Sequence, residues 1–172
     1  MKICTNRLEM TQISEEDWDL YKSLNQDPAV IKFCFNEPSL EDIGEHFNSR
    51  LPDWDITSEH WLCLSITLIE TGEKIGVIGL RVLDSETEVG FLIHTRFHGK
   101  GYGTESLKAL LRWAYKLYDI RLFNAVVTEG NVASEKVLTK CGFSLIKVIP
   151  NAYEIGGKLY ADHVYHCEDI VL

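Results

Sequence analysis

The sequence lacks the features that mark several whole classes of protein. Its five cysteines, Cys4, Cys34, Cys63, Cys141 and Cys167, are scattered, odd in number and never spaced as Cys-x-x-Cys. That pattern speaks against a disulfide framework or a zinc site, so no metal is expected. It suits small core residues in a reducing compartment, and a cytoplasmic location is the expectation. No apolar run is long enough to cross a bilayer, and Arg7 and Glu9 stand where a signal peptide would carry its apolar stretch. Repeats, linkers and low-complexity tracts are absent. Positive charge is scarce too: 17 Lys and Arg against 26 Asp and Glu give a formal net charge of −9. This disfavours nucleic acid as a main partner and is compatible with a cationic substrate. At 172 residues, 45% of them hydrophobic, one domain spanning residues 1–172 around a single core is expected.

Periodicity and punctuation suggest the order of elements. A first strand is expected over Thr5 to Gln12. Ser14 with Asp17, three residues on, resembles a capping box opening a helix that ends before Asp27-Pro28. A loop with Phe33, Phe35 and Pro38 follows, then a second helix from Ser39 and Asp42 to about Leu51-Pro52. Trp61 to Ile69 and Lys74 to Leu83 read as a hairpin turning at Thr71-Gly72. Glu86 to Ile93 is the next strand. Leu107, Leu110, Leu111, Ala114, Leu117 and Tyr118 then form one apolar helical stripe. A strand over Leu122 to Thr128, a helix over 132–141 stopped by Gly142, and strands near Phe143 to Ile149 and Leu159 to Val171 complete the chain. The fold class is α/β (α+β), with a mixed, largely antiparallel sheet and helices on both faces.

The richest stretch is Arg96-Phe97-His98-Gly99-Lys100-Gly101-Tyr102-Gly103-Thr104-Glu105, between an apolar strand and the mouth of the long helix. Glycine lets the backbone turn and approach a ligand closely, while the first amides of a helix point outward unpaired. The combination makes an anion site. Thr104 stands where a dinucleotide fingerprint needs glycine, and no glycine loop ends in Gly-Lys-Ser/Thr. The register His98, Gly101, Gly103 is similar to the pyrophosphate loop Gln/Arg-x-x-Gly-x-Gly/Ala of the GNAT N-acetyltransferase superfamily, with His98 as the departure. A second block, Asn131-Val132-Ala133-Ser134 with Cys141-Gly142-Phe143, resembles the Asn-x-x-Ser…Gly-Phe signature of the ribosomal-protein N-terminal (RimJ/RimL-like) branch. The likeness runs from about Arg7 to the C-terminus.

The resemblance implies an acetyl-CoA-dependent N-acetyltransferase acting on a primary amine. The two parallel strands before the glycine loop and before Asn131 would splay apart, and the pantetheine arm would lie in the opening. The cofactor contacts it implies are Leu92, Ile93, His98, Gly99, Lys100, Gly101, Tyr102, Gly103, Thr104 and Asn131. Arg96 and Lys100 could neutralise phosphate or simply be solvated, as could Lys136 and Lys140. The transfer needs an amine that loses its proton, a carbonyl oxygen stabilised as charge develops, and a thiolate that leaves. Glu88 is the first candidate for the base, sharing a sheet face with Gly90 and Leu92; its structural alternative is an exposed or ion-paired strand residue. His60, Glu37 and His163 are weaker candidates. A main-chain amide of Leu92 or Ile93 would take the oxyanion. Many relatives have a tyrosine where Leu138 stands; the resemblance to the Asn-x-x-Ser branch instead implies that Ser134 stabilises the leaving thiolate or relays water, the structural alternative being a polar first-turn residue behind the Asn131 cap. The acceptor could be a peptide N-terminus, drawn by acidic residues such as Glu37, Glu88 and Glu154, or a polyamine, amino sugar, antibiotic or free amino acid. Its pocket is expected among Phe33-Phe35, Trp54 and Tyr153 to Gly157. A non-catalytic acyl-CoA-binding domain is the alternative from another class, and either a monomer or a homodimer is compatible with the sequence.

Overall fold

The computed structural model describes residues 1–84 and 86–168. Eight strands form one sheet: β1 (Lys2–Cys4), β2 (Leu8–Gln12), β3 (Leu62–Leu68), β4 (Lys74–Leu83), β5 (Glu86–Ile93), β6 (Leu122–Thr128), β7 (Ser144–Ile155) and β8 (Lys158–Glu168). Their spatial order is β1-β2-β3-β4-β5-β6-β8-β7, and every neighbouring pair is antiparallel except β5 and β6. The helices are α1 (Trp18–Gln26), α2 (Pro28–Ile31), α3 (Leu40–Asn48), α4 (Tyr102–Tyr118) and α5 (Val132–Lys140).

Alternation along the strands sorts the apolar residues onto two faces. Leu64, Ile78, Leu80, Val89, Phe123 and Ala125 join Leu107, Leu110, Leu111 and Leu138 in the larger core beneath α4 and α5. On the opposite face Cys63 and Val77 pack with Leu20, Tyr21, Leu24, Ile43 and Phe47 of α1 and α3. The helix ends follow the expected chemistry. The Asp17 carboxylate accepts from the Ser14 amide at 2.9 Å, and Ser39 and Asp42 form a reciprocal capping box. Asn131 Oδ1 accepts from the Ser134 amide at 3.2 Å, and Gly142, at φ +92°, ends α5 with its amide on Thr139.

The differences from the sequence reading have local causes. The segment after Asp27-Pro28 forms the short α2, because Asp27 caps the Ala29 amide and proline occupies the first turn. β7 continues past Pro150 to Ile155: it is an edge strand, where proline is tolerated, and its register shifts between Ile149 and Tyr153. The expected Tyr153-to-Gly157 connection thus shrinks to a tight turn at Gly156-Gly157, both at positive φ. The expected extension of the last strand to Val171 lies partly outside the described residues.

Between β3 and β4 the backbones approach so closely that a Cβ on Gly79 would lie 2.0 Å from the Leu62 carbonyl oxygen. Gly79→Ala is therefore expected to destabilise the fold by about 1–3 kcal/mol or more, the range of overpacked cores. The midpoint of denaturant unfolding measures this, and an unchanged midpoint would contradict the account.

Candidate active site

β5 and β6 register at a single position, Glu88 opposite Asn124. Beyond it they diverge, and two cavities fill the opening. The larger, about 640 Å³, lies on the α1–α3 face and is lined by Glu88 to Leu92, Ala125 to Thr128, Phe33, Phe35, Arg50, Trp61 and Tyr153 among others. The smaller, about 390 Å³, runs along the glycine loop and α5. They meet at Cys34, Phe91, Leu92, Asn131 and Ser134, each of which lines both. A single site with two arms results.

The smaller arm takes His98, Gly99, Gly101, Tyr102, Gly103 and Thr104 from the loop, and Ala133, Lys136, Val137 and Lys140 from α5. Gly99 and Gly101 are at φ +75° and +85°, conformations that other residues adopt only with strain. The first intrahelical bond, from the Glu105 amide to Gly101, leaves the amides of Tyr102, Gly103 and Thr104 without partners inside α4. Such a helix mouth, with Lys136 and Lys140 opposite it, can hold an anion. His98 ties the loop to the strand: its Nε2 donates to the Ile93 carbonyl at 2.8 Å, which fixes the tautomer. The Lys100 side chain does not line this cavity, and Arg96 is paired with Glu73 at 2.7 Å. The lysines that line it are on α5, where periodicity alone could not separate a site from a solvated face.

A second contact anchors the loop. Arg7 Nε and Nη2 both donate to Glu105 Oε2, at 2.7 and 2.5 Å, while Nη1 donates to the Lys100 carbonyl at 3.1 Å. Thr5 Oγ1 donates to Glu105 Oε1 at 2.6 Å. The chain just before β2 thereby ties the middle of the glycine loop, at Lys100, to the first turn of α4, at Glu105.

The alternation of main-chain bonds along β5 decides which amides face the opening. His94 donates to Ile75 of the β4 edge, so Leu92, two residues earlier and opposite Val77, also directs its N–H to β4. Phe91 and Ile93 direct theirs towards the gap. Of the two residues expected from sequence, Ile93 has its amide at the opening. Leu92 contributes its side chain instead, and Phe91 joins the site.

Glu88 sits at the vertex. Arg81 Nη2 donates to its Oε2 at 3.1 Å, so the ion-paired structural alternative is realised, yet Glu88 also lines the larger cavity. Among the described residues Oε1 has no hydrogen-bond partner. Its neighbours across the sheet are Arg81 and Asn124, and each has a buried atom without a partner among the described residues, Arg81 Nε and Asn124 Oδ1. Unsatisfied buried polar atoms are rare in native folds and need an explanation beyond stability. Ser134 lies at the junction with its amide on the Asn131 cap and its hydroxyl unbonded among the described residues. Leu138, in the place of the family tyrosine, is buried core. The Cys34 thiol at the same junction is pushed up to about 11 by burial, which keeps it protonated.

The other candidates lie elsewhere. His163 pairs with Glu135 at 2.6 Å, and His60 touches the Pro52 carbonyl; neither lines either cavity. Glu37 and Glu154 do not line the larger cavity, although their neighbours do. Asn36 instead bridges to the β7–β8 turn, donating to the Glu154 carbonyl at 3.0 Å and accepting from the Gly156 amide at 2.8 Å. Trp54 is buried beside Trp113 and Tyr118, away from the expected acceptor pocket.

Comparison with known proteins agrees with this geometry. The family profile of the acetyltransferase (GNAT) domain matches residues 7–144, and the chain belongs to that family. It is an acyltransferase enzyme, an N-acetyltransferase of the acetyl-CoA-using kind. It is 25% identical over 159 residues to the uncharacterized N-acetyltransferase p20 of Bacillus licheniformis, covering 90% of this chain and 89% of that protein. Among solved structures it resembles RimL, the ribosomal L7/L12 alpha-N-protein acetyltransferase in complex with coenzyme A, with a TM-score of 0.82, 19% identity and 98% of each chain covered. It also resembles spermidine N-acetyltransferase of Vibrio cholerae in complex with CoA and spermine, with a TM-score of 0.80, 15% identity, and 95% of this chain and 96% of that one covered.

Burial pushes the Glu105 carboxyl up, but hydrogen bonds from Thr5 and Arg7 outweigh it and leave the group below its ordinary value. A carboxyl lowered by folding stabilises the native state above its unfolded value, and that contribution is lost as pH falls through the folded one. Glu105→Gln should therefore lower the unfolding midpoint at pH 7, with the gap to wild type closing below about pH 4.3. Thermal melts at pH 7 and in acid measure this; an equal gap at both would contradict the clamp.

Proposed function

We propose that this protein is a single acetyltransferase unit that transfers an acetyl group from acetyl-CoA to a primary amine, in the cytoplasm, with the chemistry at the junction of the two cavities. The observation that carries this reading is the one register pair between β5 and β6, with a glycine-loop helix mouth at one end of the opening and a large cavity at the other.

In this reading the pyrophosphate lies on the amides of Gly99 to Thr104, backed by Lys136 and Lys140. The pantetheine arm runs between Ile93 and Asn131, and the thioester reaches Phe91, Ile93 and Ser134. The inward amide of Phe91 or Ile93 stabilises the carbonyl oxygen as it gains charge, needing no particular side chain. The acceptor amine enters through the larger cavity and loses a proton to Glu88, directly or through water. The Arg81 pair leaves Glu88 Oε1 available for that bond. The Ser134 hydroxyl and the mouth of α5 favour negative charge on the departing sulfur. The known relatives argue for leaving the acceptor open at the level of the fold, since one structural neighbour is named for a ribosomal protein and another is bound to spermine.

Thiol release from acetyl-CoA with a panel of amines and N-terminal peptides tests the reading; no turnover with any amine would sink it. Glu88→Gln should lower kcat by about 100-fold or more, as for loss of a general base, with acetyl-CoA binding retained. Ser134→Ala should lower kcat with little change in the KM for acetyl-CoA, the sign of a contact realised as charge develops. Wild-type turnover in both variants would leave these residues with structural roles alone.

A further inference from the structure

The larger cavity contains a cation without a counterion. Arg50 follows α3, is half-buried and lines the cavity. Its Nη1 donates to the Tyr21 hydroxyl and, at 3.2 Å, to the His46 carbonyl, and its guanidinium carbon lies 5.5 Å from the centre of the Tyr21 ring. These contacts leave Nε and Nη2 without a partner among the described residues. Four other arginines are neutralised, Arg7 by Glu105, Arg81 by Glu88, Arg96 by Glu73 and Arg121 by Asp119, while Arg112 is exposed to solvent on α4. Arg50 has no carboxylate within ion-pairing distance among the described residues.

A partly buried guanidinium without a counterion is unfavourable, and its planar fork fits a carboxylate through two parallel hydrogen bonds. Burial already holds the Arg50 guanidinium below its ordinary value, the direction expected of a cation short of a partner. The acids of the same cavity are engaged. Glu88 is bound to Arg81, and Asp42 accepts from the Ser39 hydroxyl at 2.6 Å and its amide at 3.2 Å. His46 is the remaining titratable neighbour on α3. Asp42 keeps its charge but is held by Ser39 and forms no ion pair with Arg50, so the Arg50 fork is left open to a carboxylate from outside the protein.

Resting on the acetyltransferase reading, we infer that Arg50 binds a carboxylate of the acceptor, so that the preferred substrate is an amine that also carries an acid group, as an amino acid or an acidic peptide does. The amine then lies towards Glu88 and the junction, with the carboxylate at Arg50 and the aromatic walls of Phe35, Trp61 and Tyr153 around the intervening part. Arg50 acts on specificity and takes no part in the bond changes.

The test compares matched acceptors, each amino acid or peptide with an acid group against its primary amide, and spermidine as a third arm. Wild-type enzyme should show kcat/KM at least about 10-fold higher for the acid than for the amide. In Arg50→Gln that preference should collapse through a rise of about 10- to 100-fold in the KM for the acid, and Arg50→Lys should recover part of it. Amides or spermidine used as well as the acids would overturn the inference. So would equal losses on acid and amide in Arg50→Gln with the preference intact, the mark of a structural residue. A separate arm titrates the deaminated acids, which cannot be acetylated, into wild-type and variant protein with CoA present. Arg50-dependent binding there supports the inference even if no amine is turned over, a result that would overturn only the catalytic reading. Binding that is indifferent to Arg50 overturns the inference alone.

Discussion

Two parallel strands that pair at one position and then separate leave main-chain donors of the sheet interior without sheet partners, and the site is arranged around that break. At the vertex, Glu88 and Asn124 close the sheet; past it, Phe91 and Ile93 turn their amides into the gap. A sheet edge inside a fold is unfavourable unless something completes it. Here the completion is divided. His98 takes the Ile93 carbonyl, and a ligand with amides of its own is suited to the rest. The Arg7–Glu105 clamp and the Asn131 cap hold the two helix mouths that border the gap.

Charge is arranged around the same break. The chain is strongly acidic overall, yet the smaller arm presents helix amides and lysines, and the larger arm holds an arginine with no carboxylate in ion-pairing distance among the described residues. Net charge reports on solubility and long-range fields; it says little about the sign inside a particular cavity. The balance at the vertex is finer still, since Arg81 both neutralises Glu88 and holds it in place beside the cavity.

Local signals in the sequence were enough for much of the scaffold, although the strand expected over Thr5 to Gln12 covers only Leu8–Gln12 and β1 was not expected. β5 and β6 match the expected strands residue for residue, and the caps at Ser39, Asn131 and Gly142 act as their residue types predict. The loop could be read because its glycines serve the backbone, whose geometry is local. What could not be read depends on tertiary placement. The sequence does not show that Trp54 packs with Trp113, that Glu37 lies off the cavity, or that Arg50 lacks an acid, because each fact is set by residues far away in the chain. The choice between Leu92 and Ile93 turned on hydrogen-bond phase along β5, which only the register with β4 fixes. Lys136 and Lys140 had two equal readings until α5 was placed against the loop.

The central claim is that the gap between β5 and β6 is where acetyl-CoA binds and reacts. A crystal structure with CoA or an unreactive acetyl-CoA analogue tests it most directly. The account predicts the pyrophosphate on the amides of Gly99 to Thr104, the arm between β5 and β6, and the sulfur within reach of the Ser134 hydroxyl. A cofactor bound elsewhere, or one that leaves the amides of Phe91 and Ile93 unpaired and its sulfur remote from Ser134, would contradict it.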